Sequence, residues 1–179
     1  MARPAGPGRE ALLRAGLEVA DARGLSRMSV NAVVAAAGMA KGNFYTHFKD
    51  RRSYLVELHR RYHGGLEERV QAAVDGLAPG RERFAAGITA YLDASLAMTG
   101  TRGLLTQART DPDLSDETRV HSTRAAERLR PEIAELGWDP PDPVAHMVVA
   151  MVVDIGHQEL LDGRRRDDLR EALFGLVVR

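Results

Sequence analysis

From Leu55 to Leu77 the apolar residues stand three or four apart: Leu55, Leu58, Tyr62, Leu66, Val70, Ala73 and Leu77. That spacing puts every one of them on one face of an α-helix, so the stretch predicts a helix of about six turns. The rest of the chain agrees with it. Strand-like alternation is absent, β-branched residues are sparse outside one segment, and Ala, Leu, Arg and Glu dominate. The expected fold class is all-α.

Other helices follow from their own stripes and stops. Leu13, Leu17 and Ala20 line a first helix from about residue 8 that stops near Gly24, and Gly16 on the same side invites close approach by a neighbour. Ser29 caps a short second helix carrying Val30, Val33 and Val34, which ends at Gly38. A third short helix runs from Ala40 to about Phe48, and "LAPGRE" breaks the long fourth. Phe84, Ile88, Tyr91, Leu92 and Leu96 mark a fifth. "TRGLLTQAR" is a short sixth that stops at "TDPD". Ser115 opens a seventh, acidic in its first turn, which Pro131 is expected to kink or end. "VAHMVVAMVVDIG" is an eighth helix, apolar almost all round, and "DDLREALFGLVV" an amphipathic ninth. A helix apolar on all sides needs burial on both. In a chain of 179 residues a second subunit supplies the other side most simply.

The net charge of zero conceals a division. Residues 1–62 carry eleven Lys and Arg against five Asp and Glu, a net of +6, and the remainder carries fourteen against twenty. The basic part is the one suited to a polyanion. The chain has no cysteine, which excludes disulfide scaffolds and thiolate zinc sites. "MARPAGPGRE" lacks the apolar run of a signal peptide, and no uninterrupted apolar run reaches about 18 residues, so a cytoplasmic protein without a membrane segment is expected. Phosphate-binding GxxxxGK, GxSxG, HExxH and GxGxxG signatures are all absent, so no catalytic residues are assigned and no cofactor is expected.

The stretch "AKGNFYTHF", residues 40–48, holds three of the nine aromatic residues and one of the two lysines. At helical spacing Phe44 and Phe48 share one face, while Lys41, Asn43, Thr46 and His47 fall elsewhere. The aromatics therefore pin a very short helix and leave its polar groups facing outward. Two short helices joined by a tight glycine turn, the second displaying such groups, form a helix-turn-helix. In the major groove Lys reaches guanine acceptors and Asn pairs with adenine. Lys41 alone would be an ordinary solvated lysine, and Tyr45 alone could be core filling. Their place on this helix promotes both.

Taken together, "SVNAVVAAAGMAKGNFYTHFKDRRSYL" resembles the DNA-binding signature of the TetR family of transcriptional regulators, over residues 9 to about 60. The resemblance implies an all-α homodimer whose C-terminal domain binds a small effector and releases DNA. It implies a helix-turn-helix domain at 1–53 and an effector-binding and dimerisation domain at 54–179. Ser29, Tyr45 and His47 match phosphate-contacting positions, and Asn31, Lys41, Gly42, Asn43 and Thr46 match positions facing base edges. Arg51 matches a position near the DNA backbone, often basic in the family. Two positions depart from the pattern: Ala40 stands where a Ser or Thr usually caps the recognition helix, and Val34 where the second helix usually has alanine. The expected partner is a near-palindromic double-stranded operator, bound by a homodimer joined through residues 142–178.

For the C-terminal part the reading is a ligand-responsive regulator, a repressor released by a largely apolar, uncharged or weakly anionic effector. Phe84, Ile88, Tyr91, Leu104, Met147, Met151 and Trp138 are the expected apolar lining. Gln107, Arg109, His146 and His157 would orient the ligand. His146 and His157 share a face of the eighth helix, where satisfied core histidines are the first reading and pocket lining the second. His59 and His63, four apart with no third ligand nearby, are read as a solvated helix face, so no metal site is expected. The alternatives are an architectural DNA-binding protein without effector and an enzyme built on the C-terminal domain, against which the missing motifs argue.

Overall fold

The computed structural model describes residues 6–98 and 100–178; Met1–Ala5, part of the stretch read for a leader, lies outside them. The elements are α1 (Pro7–Arg23), a 3₁₀ turn (Leu25–Arg27), α2 (Val30–Ala36), α3 (Lys41–His47), α4 (Arg51–Val74) and α5 (Arg81–Ala97). They continue with α6 (Thr101–Leu104), α7 (Ser115–Glu135), α8 (Pro141–Asp162) and α9 (Asp167–Val177). No strand occurs among the described residues, and the fold is all-α. Local chemistry sets the ends. Pro7 and Pro141 begin α1 and α8, where a missing N–H costs nothing. Gly163 in the left-handed region closes α8. At the start of α4, the Ser53 amide donates to Asp50 Oδ1 at 2.7 Å and the Asp50 amide to Ser53 Oγ at 3.2 Å, a reciprocal capping box. Pro131 does not end α7, since the helix continues to Glu135.

By contacts the chain divides into two compact units, Met1–His63 with Thr99–Glu117, and Gly64–Met98 with Thr118–Arg179. The first is built around α1. Phe44, Phe48 and Tyr54 form an aromatic cluster with ring centroids 4.9–5.4 Å apart, all three buried, which is how α3 is pinned despite its seven residues. The Tyr54 hydroxyl donates to Leu12 O at 2.8 Å. A Cβ at Gly16 would collide with that hydroxyl, so the close approach expected of Gly16 is real and its neighbour is Tyr54. Burial pushes the Tyr54 hydroxyl well above its ordinary pKa. In the same unit Tyr62 donates to Thr101 Oγ1 at 2.9 Å. His59 and His63 are both buried, with ring centroids 4.2 Å apart, so the expected solvated helix face is wrong there. No cluster of three potential metal ligands occurs among the described residues.

The second unit packs Phe84, Ile88 and Leu92 of α5 against Ala126 and Ile133 of α7, four residues of α8, and Leu173 and Val177 of α9. The α8 contribution is Ala145, Val148, Val152 and Ile155. These stand on one face, so α8 is buried on one side only. Its other side and the neighbouring face of α9 leave Met147, Leu161 and Leu176 exposed at 59%, 68% and 66%. Met147 was expected to face inward and does not. One helix among the described residues, α8, is after all long and apolar enough to cross a membrane by length and composition. Its buried side belongs to this protein core, and near its end it carries Glu159 in an ion pair. Arg170 of α9 holds that carboxylate with two bonds, 2.6 and 2.8 Å, and reaches Asp93 of α5 at 2.5 Å. Burial alone would lower the pKa of the guanidinium, but its bonds to Glu159 and Asp93 raise it.

Candidate nucleic-acid interface

The recognition surface is made by what α3 does not bury. Of its residues Phe44 alone is buried, while Lys41, Gly42, Asn43, Tyr45, Thr46 and His47 are all exposed. Tyr45 is 52% exposed and meets Phe44 edge-on, with centroids 5.4 Å apart, so its ring is steadied at the base and its hydroxyl stands free of the core. A methyl group at Gly42 would touch no protein atom, so packing within the chain does not require glycine there. Thr46 donates its hydroxyl proton to Asn43 O at 2.7 Å, which leaves its methyl group and two acceptor lone pairs for an outside partner. The His47 ring lies over the first turn of α1, where a Cβ on Gly8 would come within 2.8 Å of Nε2. Ala40 sits at the N-cap with no side-chain bond, as its missing hydroxyl predicts.

On α2, Ser29 is exposed and its Oγ accepts the Ala32 amide at 3.1 Å, so the hydroxyl proton remains to be donated outward. Asn31, two residues on, is exposed. Val33 and Val34 are buried, Val34 filling the place where the family pattern has alanine.

Arg51 is corrected. Its guanidinium does not extend away from the protein: Nε donates to Met28 O at 3.0 Å, Nη2 to Leu25 O at 3.1 Å, and Nη1 to Asp113 Oδ2 at 2.6 Å. Asp111 stands 3.5 Å from the same group. Other cations of the basic first third are also neutralised internally: Arg60 by Glu117, Arg61 by Glu10, and Arg9 by Glu57. The Arg60 guanidinium is pushed up in pKa by its bond to Glu117. The exposed cations Arg27, Lys41, Lys49 and Arg52 stand in no ion pair among the described residues. Lys49 and Arg52 flank the α3–α4 junction, and in the sequence Arg51 between them masks their signal.

The residues expected to line an effector site are not brought together within either unit. Gln107 belongs to the first unit, where its Oε1 accepts the Leu25 amide at 2.7 Å. Arg109, in that unit too, is exposed. Leu104 is buried there. In the second unit His146 is exposed, with Nδ1 3.0 Å from Asp142 O, and so is no core histidine. His157 is half-buried. Tyr91, Met151 and Trp138 are half-buried against the core of that unit, and Trp138 Nε1 donates to Val177 O at 2.8 Å.

Residues 12–58 match the family described as bacterial regulatory proteins, tetR family. No curated protein matches the sequence. Among solved structures, the fold is similar to a TetR-family transcriptional regulator from Rhodococcus sp. (20% identity, TM-score 0.81, 96% of this chain and 99% of that one). It is similar also to NemR of E. coli in its reduced form (17%, TM-score 0.75, 96% and 98%). A third is the fatty acid degradation regulator FadR of Bacillus halodurans (15%, TM-score 0.77, 98% and 97%). Residues 12–58 thus carry a DNA-binding domain matching the tetR family of bacterial regulatory proteins, and along nearly its whole length the chain has the fold of the regulators named above.

Proposed function

We propose that this protein is a ligand-responsive repressor that binds a near-palindromic operator as a homodimer. The observation that carries the DNA contact is the outward face of α3, whose polar side chains are exposed while both phenylalanines are buried beneath it. In this reading Lys41, Gly42, Asn43 and Thr46, with Asn31 of α2, face base edges, Thr46 chiefly through its methyl group. Ser29, Tyr45 and His47 contact phosphates, which carry no base identity. Residues 1–53 are the DNA-binding part and 54–179 the effector-binding and dimerisation part, although by contact 54–63 and 100–117 group with the former.

Dimerisation through 142–178 is supported by the exposed Met147, Leu161 and Leu176 on α8 and α9, large apolar groups at helical spacing that a second copy would cover. The effector we infer is largely apolar and uncharged or weakly anionic, taken up by the second unit near Tyr91, Met151 and His157. The similarity to a fatty acid degradation regulator favours the same chemistry. Operator affinity measured with and without fatty acids and uncharged apolar compounds tests this. An effector must favour the DNA-free state, and the coupling factor must be equal in both directions. Compounds that bind tightly while leaving operator affinity untouched would remove the effector assignment.

A further inference from the structure

In a reading that rests on the proposed DNA contact, the structure assigns Arg51 as a positioning residue of the reading head, with Gln107 and Asp113, and leaves the phosphates beside it to Lys49 and Arg52. The turn from Gly24 to Met28 joins α1 to α2 and sets where α2 begins. It is held from two sides. The Leu25 amide donates to Gln107 Oε1, while Leu25 O and Met28 O both accept from Arg51. Gly24 makes the first contact possible: its φ is 74°, and a Cβ there would come within 2.6 Å of Gln107 Oε1.

Arg51 is itself held. A guanidinium has five N–H donors in a fixed plane. The two carbonyls and Asp113 engage all three guanidinium nitrogens, and Asp111 lies close by. Asp113 is in turn fixed by its own amide, which donates to Asp111 Oδ1 at 2.9 Å. The carboxylates thus orient the fork, and the fork orients the turn. A phosphate could recruit Arg51 only by displacing Asp113 and releasing both carbonyls. Lys49 and Arg52 would break nothing of the kind, being exposed and in no ion pair among the described residues. They act on Asp50 only at longer range.

The two roles separate in a salt titration of DNA binding, using full-length wild type, Lys49→Ala, Arg52→Ala, Arg51→Ala, Asp113→Asn and the double variant of Arg51 and Asp113. Deleting a cation that touches a phosphate lowers the salt slope by about 1. Lys49→Ala and Arg52→Ala are expected to do so. Arg51→Ala is expected to leave the slope unchanged yet weaken selected operator about tenfold more than random DNA, as loss of charge-assisted bonds to the turn implies. Asp113→Asn should act in the same direction, and the double variant should be no worse than Arg51→Ala. Tighter DNA binding by Asp113→Asn, with a lower slope in Arg51→Ala, would overturn the assignment and make Arg51 a phosphate contact restrained by Asp113. Amide hydrogen exchange in the absence of DNA supplies a second measurement. Exchange at Leu25 and Met28 should accelerate in Asp113→Asn while α1 stays protected, and unchanged exchange contradicts the clamp. A wild-type protein that binds no DNA would sink the proposed function alone, because the exchange result stands without it.

Discussion

Replacing Arg170 by alanine removes the cation from a site where it is 2% exposed and its partner Glu159 1% exposed. The carboxylate would be left buried without its two guanidinium bonds, retaining only the Arg166 amide, which donates to Glu159 Oε1 at 2.9 Å. Breaking a buried pair by deleting one partner costs about 3–5 kcal/mol. Asp93, at 48% exposed, adds little because water takes the place of the guanidinium there. The double variant Arg170→Met, Glu159→Leu removes both charges and should recover most of that loss. It should remain about 1 kcal/mol below wild type, since the Arg166 amide at the head of α9 loses its acceptor. Urea unfolding at one fixed protomer concentration reads the cycle, because a dimer's apparent stability depends on concentration. For a chain of this size the single variant should melt lower by roughly 6–20 °C. A single variant within about 0.5 kcal/mol of wild type would refute the claim that this pair fixes α9 against α8.

Gly16→Ala sets a methyl group against the Tyr54 hydroxyl and should destabilise by about 1–3 kcal/mol by overpacking, whereas the double variant with Tyr54→Phe should recover part of it in thermal melts. Leu161→Asp on the exposed face should dissociate the dimer in sedimentation while leaving the helix signal intact; Val152→Asp, at 5% exposed, should instead unfold the chain, because Val152 faces the subunit's own core. Asp168 is held at about 2 by its bonds from Arg166, below its ordinary 3.8, and the Ser53 amide lowers Asp50. Depressed carboxylates stabilise above the unfolded value, so stability should fall as pH drops from about 4 through about 2, and Asp168→Asn should flatten that limb of an acid-unfolding curve. Ser29→Ala should cost about 1 kcal/mol by removing the cap of α2, measurable by denaturant unfolding.

The helices were legible because each carries its own periodicity and stops, and the recognition helix because two phenylalanines at i and i+4 define its buried face without reference to anything else. What needed the folded chain is what depends on a distant partner. Arg51 reads as an outward cation beside α3 until Asp113, far along the sequence, is found to hold it. "TDPD" reads as a helix break, yet its carboxylates orient that fork. Gln107 reads as a pocket residue by helix membership and instead binds the α1–α2 turn. His59 and His63 are polar residues flanking two arginines, a pattern indistinguishable from a solvated face until the packing buries them. The nearly all-apolar α8 gives no sequence signal for which side meets the subunit core, so Met147 is expected inward and stands exposed, while Val152 is the one that packs into the core.

Which DNA the protein retains tests the dimeric, sequence-reading regulator most directly. Selection of bound sequences from a random double-stranded library, with wild-type protein at fixed salt, is predicted to enrich a near-palindrome. Its half-site centres should lie about 34–36 Å apart or a multiple of that spacing, and base preference should relax within each half-site when Lys41→Ala replaces wild type. No enrichment, or enriched sites lacking two-fold symmetry, would contradict that reading.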